Sequence, residues 1–227
     1  MIDVHSHILP LVDDGSQSFE LSLDLIKEEI KQGVTHIVLT PHIFGKEQKG
    51  NRAFQIEQFN KLKEMTKDLP ITLILGAEIY YRPHFDLELH RYAFEDTNII
   101  LMEFSTQHKT AIEDIVFNIQ AKGYQVIVAH VERYLYLTKE DIINIKKTGA
   151  LLQVNSSAIV GPDKYTKKSM VNMLIRNKFI DIIATDTHNL DVRKPLMQQA
   201  FMKLKKYYSQ EELYLLFNRI NFVKKED

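Results

Sequence analysis

The chain has 227 residues with 29 Lys and Arg against 30 Asp and Glu, a formal net charge of -1 that removes any global electrostatic case for a nucleic-acid partner. It has no cysteine, which excludes disulfides, thiolate metal sites and a cysteine nucleophile. No run approaches the roughly 18 apolar residues of a membrane span, and the opening residues are charged or ligand-like instead of forming an apolar signal core, so a cytoplasmic protein with no membrane span is expected.

Short β-branched runs alternate with stretches of helical spacing, the pattern of a parallel sheet wrapped by helices. Strands are predicted at Ile2–Val4, His36–Thr40, Ile71–Leu75, Ile99–Met102, Gln125–Ala129, Leu151–Val154 and Ile180–Ala184, a number that suits a barrel. After the first strand, Phe19, Leu23, Ile26 and Ile30 share a helical face, and Gly33 stands where that helix should stop. Ile112, Ile115, Val116 and Ile119 form a second apolar face ahead of Gly123. Thr138 with Asp141, and Ser209 with Glu212 ahead of Leu213, Leu216 and Phe217, read as capping boxes. Lys224-Lys225-Glu226-Asp227 reads as a solvated tail. With no linker, repeat or low-complexity segment, residues 1–227 are expected to form a single domain.

Ligand-type residues close these runs. His5 and His7 follow the first, His42 the second, Glu78 the third, Glu103 the fourth, His130 the fifth, and Asp186 with His188 the last. In parallel α/β folds the C-terminal strand ends share one rim, so six dispersed segments can meet there. Taken singly, each His has a structural explanation in the core and each carboxylate one at a wet strand end. At six of seven predicted strand ends together, imidazoles and carboxylates point to divalent metals and metal-assisted hydrolysis. Asp13-Asp14-Gly15 has the composition of a turn. Its place after the first ligand pair makes Asp14 a candidate metal ligand or proton donor.

Arg133 stands three residues past His130 and Arg193 five past His188; a guanidinium can hold two phosphoryl oxygens at once, although a surface salt bridge is the default for any one arginine. Tyr80, Tyr81, Tyr134 and Tyr136 follow ligand positions and either line a cleft or pack helices onto the barrel. His36, His84, His90 and His108 carry no supporting pattern and are expected to be structural or exposed.

With these residues in view, the chain resembles the polymerase-and-histidinol-phosphatase (PHP) superfamily, and within it the bacterial manganese-dependent protein tyrosine phosphatases of capsule and exopolysaccharide operons. The likeness runs from Asp3-Val4-His5-Ser6-His7-Ile8-Leu9-Pro10 with Asp13-Asp14-Gly15 through Thr40-Pro41-His42, Gly76-Ala77-Glu78 and His130-Val131-Glu132-Arg133-Tyr134 to Ser156 and Asp186-Thr187-His188. It implies a distorted (β/α)7 TIM-like barrel, the PHP fold. It also implies three divalent metals, Mn2+ first and Fe, Co or Zn as alternatives. His5, His7, Glu78 and Asp186 would hold one, Glu78, Glu103 and His130 a second, and His42 and His188, with Asp14, a third; Arg133 and Arg193 would contact phosphate. The substrate so implied is a tyrosine-phosphorylated protein, the tail of a bacterial tyrosine kinase that regulates polysaccharide synthesis. The competing readings are a small-molecule phosphatase such as histidinol-phosphate phosphatase, a PHP exonuclease, disfavoured by the charge balance, and a non-catalytic phosphotyrosine-binding module.

Overall fold

The computed structural model describes residues 1–44, 52–83, 88–161 and 165–222. All strand pairings among these residues are parallel. One sheet contains β1 (Ile2–Ser6), β2 (His36–Leu39) and β4 (Thr72–Leu75). The other contains β3 (His42–Ile43), β5 (Glu78–Tyr80), β6 (Ile99–Glu103), β7 (Gln125–Val128), β8 (Leu151–Asn155) and β9 (Ile182–Ala184). Only Thr40-Pro41 separates β2 from β3, and only Gly76-Ala77 separates β4 from β5. These are two broken staves, and the two sheets follow one another as a seven-stave array. A Ser6–Thr187 bridge, with Asp186 N donating to His5 O at 2.8 Å and His7 N to Thr187 O at 2.9 Å, ties the last stave to the first. The architecture is the expected distorted (β/α)7 barrel.

Seven predicted strands therefore become nine, because β3 and β5 are too short to leave a hydrophobic run of their own. The breaks have local causes. Pro41 cannot donate to a ladder. A side chain at Gly76 would place its Cβ 2.6 Å from the Phe94 ring and 2.8 Å from Val38. Phe94 needs that space, since it packs with Ile220 against the inward-facing Val4, Val38, Ile74, Leu101, Ile127 and Ile182. The alternate residues Ile37, Leu73, Ile100, Val126, Leu152 and Ile183 face outward onto the helices, as the two-residue strand period requires.

Helix α1 (Phe19–Lys31) is capped by Ser18 and stops before Gly33, whose φ of 85° suits glycine. Its fully buried line is Ser22, Leu25, Ile26 and Glu29; Phe19, Leu23 and Ile30 of the predicted face are only half-buried. The helix is rotated because Ser22 Oγ donates to Ile8 O at 2.6 Å and Glu29 turns inward toward Asp3. Helix α3 (Ile112–Gln120) buries Ile112, Val116 and Ile119. Both capping boxes form, opening α4 (Lys139–Lys147) and α8 (Gln210–Asn218). Helices α2 (Arg52–Met65), α5 (Ser156–Val160), α6 (Lys168–Arg176) and α7 (Met197–Leu204) fill the remaining crossovers. No helix among the described residues is long and apolar enough to cross a membrane. His36 is half-buried, while His90 and His108 are exposed; His84 and the tail from Lys224 to Asp227 lie outside the described residues.

Candidate metal centre

The first ligand pair depends on a bulge. Asp3 pairs with Ile37 but Ser6 with Leu39, so three steps along β1 oppose two along β2. Asp3 faces outward to α1, and strict alternation would return His5 to that same outer face. The extra residue turns His5 into the barrel instead. There its Nε2 lies 3.4 Å from Glu78 Oε1 and 3.6 Å from Asp186 Oδ1. His7 Nε2 lies 3.3 Å from Glu78 Oε2 and 3.4 Å from Asp186 Oδ1.

The broken staves supply the next two groups. His42 and Glu78 open β3 and β5 as register partners, with Nδ1 and Oε2 2.8 Å apart. His130 Nε2 is 2.9 Å from Glu78 Oε1 and 3.6 Å from Glu103 Oε1. His42 Nε2 and His188 Nε2 each lie 3.4 Å from Asp14 Oδ1. His130 and Asp186 adopt left-handed backbone, with φ of 31° and 53°. Non-glycine residues held there carry strain that is commonly kept at functional sites. Seven of the eight expected ligands and Asp14 thus meet at one rim in overlapping groups: His5, His7 and Asp186; His42, Glu78 and Glu103; His7, Asp14, His42 and His188. His130 joins them through Glu78 and Glu103.

Hydrogen bonds behind the rings assign their protons. His7 Nδ1 lies 2.7 Å from Asp13 Oδ2, and His5 Nδ1 3.1 Å from Gln153 Oε1, an oxygen that also accepts from His130 N at 2.8 Å. Both partners are acceptors, so both Nδ1 atoms donate and both Nε2 atoms are turned toward the site. Those Nε2 atoms face each other at 3.2 Å. Two ring nitrogens meet this closely only with a proton on one of them or a cation against both. His42 Nδ1, Glu78 Oε2 and His188 Nε2 are buried without a hydrogen bond, although the first two are 2.8 Å apart. Convergent, unsatisfied imidazole and carboxylate donors of this kind fit divalent cations.

Proton affinities report the same demand for positive charge. Burial opposes charge on His7 and His42, yet Asp13 holds His7 up at about 9 and Glu78 with Asp14 holds His42 up at about 11. Burial favours neutral Glu78 and Asp186, but His5 and His42 around the first, and Arg133, His5 and Arg193 around the second, keep both well below the ordinary carboxylate range. Glu103 is pushed up to about 8 by burial and by Glu78, and His130 is lowered to about 4 by burial and by Arg133. The imidazoles of His188 and His42, each 3.4 Å away, hold Asp14 below its ordinary range.

Sequence reasoning missed the supporting residues. β8 is the one predicted strand with no ligand at its end, yet it carries Gln153 and Asn155. Gln153 Nε2 donates to Asn155 Oδ1 at 2.7 Å, and Asn155 Nδ2 donates to Asp186 Oδ2 at 2.9 Å. Asn155 N in turn donates to Glu132 Oε1 at 3.1 Å, a buried carboxyl raised to about 7 by its burial. Two amides at i and i+2 in a buried run were the available signal. Asp13, read only as a turn residue, also accepts from His42 N at 3.2 Å and from Gly15 N at 2.9 Å. Glycine is required at 15, where a Cβ would sit 2.1 Å from His7 O.

Both arginines face the cluster. Arg133 Nη2 is 2.9 Å from Asp186 Oδ2, and Arg193 Nη2 is 2.7 Å from Asp186 Oδ1. The tyrosines divide. Tyr134 is fully buried with its hydroxyl accepting from Phe104 N at 3.0 Å, so it packs the barrel and does not line a cleft. Tyr81 packs on Phe104 and Tyr136 on Tyr134, while Tyr80 lies beside Phe44 near the rim.

A parallel barrel whose strand ends gather imidazoles, carboxylates and two arginines defines a class, the metal-dependent hydrolases of the TIM-like barrel type. The chain belongs to the family described as capsular polysaccharide synthesis, CpsB/CapC, which matches residues 1–221. It is 33% identical over 237 residues to the tyrosine-protein phosphatase CpsB of Streptococcus pneumoniae, covering 96% of this chain and 95% of that protein. It is 29% identical over 224 residues to the tyrosine-protein phosphatase YwqE of Bacillus subtilis, covering 95% and 88%. A crystal structure from the pair YwqE of B. subtilis and CpsB of S. pneumoniae, described as metal-dependent tyrosine phosphatases, superposes with a TM-score of 0.83 at 28% identity, covering 95% of this chain and 91% of that one. Histidinol phosphate phosphatase from Lactococcus lactis, at a TM-score of 0.57 and 15% identity over 90% of this chain and 93% of that one, shares the fold.

Proposed function

We propose that this chain is a metal-dependent protein-tyrosine phosphatase serving the control of capsular or extracellular polysaccharide synthesis, with a bacterial tyrosine kinase tail as its substrate. The observation that carries the metal reading is the convergence of imidazole and carboxylate atoms from separate strand ends into three overlapping groups, the atoms of each within 4.8 Å of one another. The relatives' described activity supports the phosphotyrosine assignment. His5, His7, Glu78 and Asp186 would hold one cation, Glu78, Glu103 and His130 a second, and His42, His188 and Asp14 a third. The mixture of imidazole and carboxylate suits Mn2+, with Fe, Co or Zn as alternatives. When bound, such ions supply Lewis-acid charge and lower the pKa of water from about 15.7 towards ~7.

The chain's own residues do the rest. Gln153 and Asp13 accept from Nδ1–H of His5 and His7 and so leave both Nε2 atoms on the site side to serve as donors to a cation. Arg133 and Arg193 reach the same carboxylate, Asp186, from two loops, which supports a role for both guanidiniums in holding phosphoryl oxygens as these gain charge in the transition state. A phenolate leaves with a pKa near ~10, so a proton donor helps without being obligatory. The lowered pKa of Asp14 favours its use as a ligand over a donor. No phosphocysteine can form in a chain without cysteine. Residues 1–227 act as one domain, in the cytoplasm.

The test is hydrolysis of a phosphotyrosine peptide by the purified protein before and after chelation. Activity should vanish on chelation and return with Mn2+, while thiol alkylation should change nothing. Full activity in the stripped protein overturns the metal reading, and a substantially higher kcat/KM for histidinol phosphate overturns the substrate.

A further inference from the structure

The loops that carry the ligands also carry exposed apolar side chains. Of the thirteen exposed large hydrophobics among the described residues, six lie on these loops or on the one following β8: Leu11, Phe44, Leu135, Tyr165, Leu190 and Val192. Solvation disfavours such a concentration unless something covers it. Two of the six are aromatic, Phe44 set against the expected ligand His42 and Tyr165 against Arg133. Phe44 stacks on the His42 ring with centroids 4.8 Å apart and 27° between planes, and remains 36% exposed. Tyr80 lies 5.8 Å beyond it, and the Arg82 guanidinium lies over the Tyr80 ring at 5.7 Å. Tyr165 is 53% exposed and holds its ring 5.5 Å from the Arg133 guanidinium carbon. The Phe44 ladder rises from the second stave, whereas Arg133 follows the fifth and Tyr165 the sixth. In a ring of seven staves these are opposite sides of the mouth.

We propose that Phe44 and Tyr165 are specificity-determining residues that wall the mouth of the site and receive the aryl ring of a phosphate monoester. This rests on the phosphatase reading above. A phosphoryl group held by Arg133, and by cations that His42 would help to hold, would direct its ester oxygen out of the rim, between these two side chains. The first atoms beyond that oxygen therefore meet aromatic faces. An aryl ring gains offset or edge contacts with both. A serine or threonine ester presents a short aliphatic carbon and brings peptide backbone to the rim instead, so the walls discriminate by ring and by reach.

Binding of two non-hydrolysable probes tests this on the Mn2+-loaded protein by calorimetry, with phenylphosphonate and methylphosphonate compared for the wild type, Phe44→Ala, Tyr165→Ala and Tyr165→Phe. The wild type should favour the phenyl probe. Each alanine variant should weaken phenylphosphonate by about threefold to tenfold, the scale of one aromatic pair, with methylphosphonate affinity held. Tyr165→Phe should keep the wild-type preference, because the ring and not the hydroxyl forms the wall. Equal weakening of both probes, or no change in either, overturns the assignment. Loss of phosphotyrosine turnover from the wild type itself is a different failure, which removes the phosphatase reading and this inference with it.

Discussion

Gln153 and His5, 148 residues apart in sequence, share a buried hydrogen bond of 3.1 Å from His5 Nδ1 to Gln153 Oε1. That bond sets the tautomer of one ligand, while the other end of the same amide, through Asn155, holds the carboxylate of Asp186. Gln153→Leu removes both functions. Metal affinity, measured by competition with a chelator, should fall about 10–100-fold, the usual cost of losing a partner behind a ligand. Gln153→Glu keeps an acceptor for His5 but no donor for Asn155 and should fall between. An unchanged affinity in a folded Leu variant would remove Gln153 from the site.

The arginines should separate from the ligands. Arg133→Ala leaves Asp186 with Arg193 and Asn155, and Arg193→Ala leaves it with Arg133 and Asn155, so either variant should keep its metal. Each should lose about 2.7–4 kcal/mol of transition-state stabilisation in kcat/KM. His5→Ala, Glu78→Ala or Asp186→Ala should lose metal together with rate. Metal analysis beside steady-state kinetics checks both halves, and metal-deficient arginine variants would count against their role.

Glu29 makes stability depend on pH. Its carboxyl is fully buried, and burial together with Asp3 raises its pKa well above the ordinary 4.5. A carboxyl that holds its proton more tightly folded than unfolded costs stability as pH climbs from the unfolded value through the folded one. Glu29→Gln should therefore be more stable than wild type near about pH 8, by roughly 1–3 kcal/mol. The advantage should shrink towards about pH 4, where wild-type Glu29 is protonated in both states. Urea denaturation at both pH values reads the difference. An equal advantage at each would show that titration is not its origin.

Tyr134→Phe distinguishes packing from catalysis. The change leaves the buried Phe104 N–H without its acceptor and should cost about 1–3 kcal/mol of stability. Phosphatase kcat/KM should stay at the wild-type value. A large loss of rate in a folded variant would return Tyr134 to the site.

Much of the site was written in residue types. An imidazole or carboxylate that ends a hydrophobic run is visible because the run itself marks the strand, and parallel strands in a barrel must end at one rim. His5, His7, His42, Glu78, Glu103, His130, Asp186 and His188 could all be named that way, and so could both capping boxes, whose partners are three residues apart. Contacts between distant segments left weaker traces. Gln153 and Asn155 carry no charge and look like ordinary polar residues until β8 brings them behind His5 and Asp186.

The face on which His5 lies was settled by the bulge between Asp3 and Ser6, a matter of pairing between two strands to which the order of residues in β1 alone is blind. The rotation of α1 likewise follows from what it meets, Ile8 O at Ser22 and Asp3 at Glu29, and not from its own apolar spacing. Sequence by itself determined the donors and the barrel, because side-chain chemistry and strand period are local. Which acceptors stand behind the ligand rings, which carboxylate the arginines share and which aromatic rings stand at the mouth were decided only in three dimensions, because each depends on a distance between segments far apart in the chain.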